Sequence, residues 1–154
     1  MDLELPLYLG ANEENMSKGA AQLTETSMRS VGNNTNMAVV AHRGYSYAKM
    51  FREIEKLKIG DEIFITNFWE TMTYKVERIE VISPDEIDKI RIQEGKDMVT
   101  LVTCHPYPHN YQRYLVYCER VLNPSIKSMS GNLKMIRIAR NSKDEIVDKT
   151  DFIS

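Results

Sequence analysis

Residues 100–121, TLVTCHPYPHNYQRYLVYCERV, hold both cysteines and two of the three histidines of the chain. Thiols and imidazoles this close together can form a disulfide, bind a metal, or support a nucleophile. They can also do none of these. A disulfide is the least compatible with the spacing. If TLVTC and RYLVYC pair as an antiparallel hairpin with Cys104 opposite Arg113, then Cys118 falls opposite Val99. The two thiols are then about 17 Å apart at roughly 3.4 Å per residue. A disulfide needs its Cα atoms within about 7 Å. Cys118, inside YLVYCERV, reads as a buried strand residue, the usual place of a free cysteine.

For a metal, Cys104, His105 and His109 are ligand types that suit zinc. The two histidines are four apart, but Pro106 and Pro108 lie between them and rule out a continuous helix face. No second CxxC or HExxH element is present. For a nucleophile, Cys104 needs a base or cation that raises its thiolate fraction and a donor for the oxyanion that forms. His42 ends the apolar run MAVVAH and Arg113 starts the strand after the loop, so both stand at strand ends, as Cys104 does. Each also has an ordinary explanation, a solvated histidine and an arginine paired with a surface acid. On spacing alone, a reactive thiol, an inert one and a zinc ligand all remain open.

The elements that must position these residues are short. LPLYLG and TNMAVVAH read as strands, and NEENMSKGAAQL reads as a helix with Asn12 as N-cap and acids in its first turn. AKMFREIEKLKIG places Met50, Phe51, Ile54 and Leu57 at helical spacing before Gly60. DEIFITNF and MTYKVERIEVI form a hairpin around WET, with a bulge expected near Glu77, where alternation breaks. SPDEIDKI starts a short helix at Ser83 and Pro84. DMVTLVTC and RYLVYCERV flank the HPYPHNYQ loop. About six strands with two or three short helices predict a mainly β fold, a barrel or curled sandwich with helical excursions. The last stretch, residues 125–154, is more polar and less periodic and reads as an appendage of uncertain order.

The composition narrows the function classes. A chain of 154 residues suits one domain with its own core. With 20 basic and 22 acidic side chains the net charge is −2, which gives no footprint for nucleic acid or anionic membrane. No run of about 18 apolar residues offers a membrane span. MDLELPLYLG lacks the basic start of a signal peptide. The chain therefore reads as a soluble domain, or as the soluble part of something larger.

TLVTC resembles the TLxTC signature of sortases, the cysteine transpeptidases that attach proteins to Gram-positive cell walls. TCHPYPHNYQRYLV is similar to the class C, pilin-polymerising form, T-C-x-P-Y-x-x-N-x-x-R before an apolar strand, with Pro106, Tyr107, Asn110 and Arg113 in register. AHRGYSYAKMFREIEKLKIGDEIFI resembles the same class around its histidine, and LPLYLGANEENMSKGAAQLTETS resembles its opening strand and helix. The resemblance spans roughly residues 3–122 and implies an eight-stranded β-barrel with short helices in its connections. It makes residues 1–124 the catalytic domain.

It also implies roles. Cys104 matches the nucleophile, His42 the general acid/base, and Arg113 the cation that steadies substrate and oxyanion. Thr103 matches a position kept hydroxylated or small near the substrate, and His105 stands where the class often has a hydroxyl. The implied substrate is an LPxTG-type sorting signal of a pilin or surface protein. The implied acceptor is an amine, either a pilin lysine or a cell-wall peptide. No cofactor is implied, because a thioester conserves the acylating potential of the peptide bond. The implied location is the outer face of the membrane, reached through anchoring segments this chain does not contain.

Two features of class C have no counterpart here. None of the five prolines follows an aspartate, so the Asp-Pro-aromatic lid motif is missing, and the last 30 residues do not resemble a membrane span. A housekeeping-type anchoring role therefore stays open beside pilin polymerisation. So do a peptidase that only hydrolyses and, in a different class, a non-catalytic zinc-stabilised β-barrel binding module.

Overall fold

The computed structural model describes residues 3–23, 35–44, 49–67, 71–90, 96–106, 109–121 and 133–139. Eight strands close into a barrel in the order β1-β2-β3-β6-β7-β5-β4-β8. In chain order they are β1 (Leu3–Leu9), β2 (Ala20–Gln22), β3 (Thr35–Val40), β4 (Glu62–Asn67), β5 (Thr71–Ile82), β6 (Asp97–His105), β7 (Gln112–Arg120) and β8 (Leu133–Ala139). Closure leaves no unpaired sheet edge. β1–β2 and β3–β6 are parallel, and the other pairings are antiparallel.

The one α-helix among the described residues, α1 (Glu13–Lys18), is capped as its sequence predicts, because Asn12 Oδ1 accepts from the Asn15 N–H at 2.8 Å. It stops earlier than the pattern suggested, and Ala20–Gln22 become β2. Gly19 makes that exit possible. A Cβ there would lie 2.5 Å from the Pro6 carbonyl, so only glycine lets β2 lie against β1.

Alternation divides the barrel wall into two apolar layers. Val39, Val99, Leu101, Val116, Cys118 and Ile136 belong to a cluster fed by every strand, which is the barrel interior. Ala38, Met98, Val102, Leu115 and Tyr117 point the other way and pack with Ile82 and Ile90 on the outer face. A 3₁₀ segment, Pro84–Lys89, leads to Ile90, where the sequence predicted a helix. The bulge expected near Glu77 is present, as the β5–β7 register shifts between Val76 and Arg78.

Two expectations differ from the structure. Met50, Phe51, Ile54 and Leu57 are all buried, but they sit on turns and one 3₁₀ turn, Ile54–Lys56, not on a continuous helix. Met50 has φ 47°, and the Phe51 N–H bonds the His42 carbonyl at 3.0 Å rather than a helical partner. The second difference lies in the stretch 125–154, read as an appendage. Leu133–Ala139 within it form β8, which pairs with both β1 and β4 and closes the barrel. Among its described side chains Ile136 and Ile138 alternate into the interior, too short a pattern to stand out amid polar neighbours. Residues 140–154 lie outside the described residues.

Candidate active site

Cys104 is the penultimate residue of β6, and its register partner on β7 is Arg113. The six-residue connection between the strands pairs His105 with Gln112, and the ladder then runs inward to Val99 opposite Cys118. Both cysteines are free thiols. On the other side of β6, Val40 of β3 is level with Val102. The Ala41 N–H still donates to the Val102 carbonyl at 3.2 Å, so the contact between the strands reaches Ala41, and His42, the next residue, follows it toward the end of β6 that carries Cys104. Cys104 and Arg113 share one face as well as one level. Ala38 and Val40, Met98 and Val102, and Leu115 and Tyr117 pack on the outer side. Alternation carries Cys104 and Arg113 to that side, at one end of the barrel, and His42 follows the end of the neighbouring strand.

All three are partly exposed, as groups that must meet a substrate need to be. Arg113 Nη1 donates to the carbonyls of Asn110, at 3.1 Å, and Gln112, at 2.9 Å. Asn110 makes the turn at φ 61°, a conformation asparagine tolerates better than most residues. Among the described residues Arg113 meets no carboxylate. A thiol flanked by an imidazole and a guanidinium has the parts for acyl transfer through a thioester. A guanidinium can steady an oxyanion, and an imidazole can carry a proton.

Thr103 does not join them. It faces the interior, is 1% exposed, and donates its hydroxyl to the Ala41 carbonyl at 2.7 Å. Strand alternation separates it from Cys104, so it ties β6 to β3 rather than facing a substrate on the thiol's side. His109 is exposed on the loop. Among the described residues no three His, Cys, Asp or Glu side chains come together as a metal site, so the zinc grouping of Cys104, His105 and His109 is not assembled.

Sequence reasoning missed two charged residues beneath the thiol. Arg43, next to His42, is buried; its Nη1 donates to the Cys104 carbonyl at 3.1 Å and its Nη2 to Glu55 Oε1 at 3.0 Å. The same Glu55 oxygen lies 3.0 Å from His105 Nδ1, an ion-pair contact rather than an aligned hydrogen bond. The Arg43 hydrogen bond, with smaller help from the His105 charge, holds the Glu55 carboxyl below its ordinary range. The His105 ring rests against Tyr114, with centroids 5.3 Å apart. Burial, reinforced by the Glu55 charge, pushes the Tyr114 hydroxyl up. The only sequence signal was an arginine directly after an apolar strand, with a glutamate 12 residues further on.

The barrel thus carries a cysteine and an arginine level at one hairpin end, with a histidine just past the neighbouring strand. Residues 1–121 match the sortase domain model, and the chain belongs to the sortase family. Sortase A of Bacillus anthracis is 31% identical over 116 residues, covering 75% of this chain and 53% of that protein. The solved Group B Streptococcus pilus island 1 sortase C2 superposes with a TM-score of 0.76 at 38% identity, covering 78% of this chain and 68% of that one. Sortase C-1 of Streptococcus pneumoniae gives 0.76 at 41% identity, over 79% of this chain and 62% of that one. The chain spans about half the length of the curated relatives it matches.

Proposed function

We propose that this chain carries the catalytic part of a sortase-type cysteine transpeptidase, with Cys104 as nucleophile, His42 as general acid/base and Arg113 as the cation at the oxyanion. The observation that supports this reading is the Cys104–Arg113 register pair at the hairpin end, with His42 two residues past the last β3–β6 pair. The Cys104 thiolate attacks the carbonyl carbon of the threonine in an LPxTG-type signal, and the carbonyl electrons move to oxygen beside Arg113. Collapse of this adduct breaks the peptide bond. His42 gives a proton to the leaving amine, and a thioester remains on Cys104. An incoming amine then attacks the thioester, passes a proton to the imidazole and releases the thiolate. Water competes for the same thioester, so slow hydrolysis accompanies transfer.

Class C chemistry, joining pilin subunits through a lysine amine, is the specific form we favour. The solved class C enzymes share 32–41% identity with this chain, against 27–31% for the sortase A relatives. Such an enzyme works at the outer cell surface on the sorting signals of secreted proteins. Mass spectrometry after incubation with an LPxTG-type peptide tests the reading. The expected result is an acyl adduct on Cys104 that an added amine discharges to amide and that Cys104→Ala abolishes. Product that remains free acid with amine in excess would replace transfer by simple hydrolysis. No adduct with sorting peptides or with whole pilin subunits would remove the reading.

A further inference from the structure

Arg43 is 7% exposed, and a guanidinium that deep is costly unless its donors are used. One of them has an unusual target. In a parallel ladder that continued the β3–β6 register, the backbone N–H of residue 43 would donate to the Cys104 carbonyl. The Arg43 side chain takes that carbonyl instead, with Nη1 at 3.1 Å. β3 can therefore end and the chain turn away at His42 while the tip of β6 stays tied. The segment Met50–Leu57 holds both ends of the arrangement. Its Phe51 N–H bonds the His42 carbonyl, and its Glu55 carboxylate bonds Arg43.

We infer that Arg43 is a positioning residue for Cys104, oriented by Glu55, and that the Arg43–Glu55 pair also sets the charge balance around the thiol. Among the described residues the charged and titratable groups facing that strand end are few. They are His42 and Arg43 from the end of β3, His105 on β6, Arg113 and Tyr114 on β7, and Glu55 from the 3₁₀ turn. Glu55 is the carboxylate of the group. Without Arg43 its charge is uncompensated at the strand end that carries the thiol, which works against the thiolate. Without the Glu55 charge, Arg43 is uncompensated and favours it. A tie that was only structural would move both variants the same way.

The catalytic half of this inference rests on the transpeptidase reading; the thiol half needs only a titrating cysteine. The test is the rate of Cys104 alkylation by iodoacetamide against pH for the full chain, Arg43→Met, Arg43→Lys and Glu55→Gln. It is paired with kcat and KM on an LPxTG-type peptide. Arg43→Met is expected to raise the alkylation midpoint and to lower kcat on the order of 10–100-fold with KM within about twofold, as for a misplaced nucleophile. Arg43→Lys recovers part of kcat, because lysine can serve one of the two acceptors. Glu55→Gln lowers the midpoint. Glu55 is about half-exposed at 49%, so that variant reads the sign even if Arg43→Met does not fold. Midpoints that stay put or move in the same direction, or a kcat untouched by Arg43→Met, overturn the inference. A parent protein that forms no acyl adduct would sink the transpeptidase reading alone, because the alkylation midpoints would still decide the charge balance.

Discussion

Cys118 faces the barrel interior from β7, level with Val99 on one side and Val76 on the other, and is fully buried. Cys104 stands on the neighbouring strand of the same hairpin, five positions along the ladder, on the outer face and partly exposed. Burial pushes the Cys118 thiol well above its ordinary value, and the Glu77 carboxylate adds to that. Its sulfur finds only the Val116 carbonyl, at 3.8 Å. Cys104 has an arginine across the ladder and a second arginine on its own carbonyl. The same side chain is thus a small hydrophobe in one place and a candidate nucleophile in the other. The difference comes from strand parity and distance from the barrel end, not from anything in the residue itself.

The largest expected contrast between the two thiols is in labelling. In the native protein iodoacetamide should modify Cys104 at least about 10³-fold faster than Cys118, which becomes reachable only when the barrel opens, at a cost of several kcal/mol. Peptide mapping after a timed pulse measures it. Comparable labelling would show that the interior is not closed around Cys118. Next in size, Arg113→Ala should lower the transfer rate about 10²–10³-fold, the usual cost of an oxyanion donor, while leaving Cys104 open to alkylation. A rate equal to the parent's would leave the oxyanion without this partner. The smallest effect belongs to the interior. Cys118→Ser buries a hydroxyl and should cost about 1–3 kcal/mol in urea denaturation, with transfer per folded molecule unchanged. If transfer fell as well, the separation between the two regions would be lost.

The sequence made this contrast legible where the chain is locally wired. A six-residue connection joins β6 to β7, so hairpin pairing alone predicted Cys104 opposite Arg113 and Cys118 opposite Val99, and both pairs are present. The Asn12 cap and the bulge beside Glu77 depend on equally short-range rules. The TLVTC and AHRG motifs pointed to the family before any pairing was known. Thr103 shows the limit of motif reading. Adjacency to Cys104 placed it near a substrate, whereas a period of two turns it to the opposite face and into a bond with Ala41.

What only the tertiary structure decided lies at long range. His42 is carried toward the Cys104 end of β6 by a parallel β3–β6 pairing across some 60 residues, and nothing local specifies it. β8, with two interior side chains, becomes a strand because closing the barrel satisfies the backbone of both β1 and β4. Arg43, Glu55 and His105 meet for the same reason. A charged side chain after a strand carries no label for the carbonyl it will bond, and only the folded barrel brings that carbonyl within reach. By itself, then, the sequence determined the kind of chemistry, the hairpin register and the strand periodicity, all of which depend on residue type and short spacing. Barrel closure decided which distant groups surround the thiol, because loop closure and burial are properties of the whole chain.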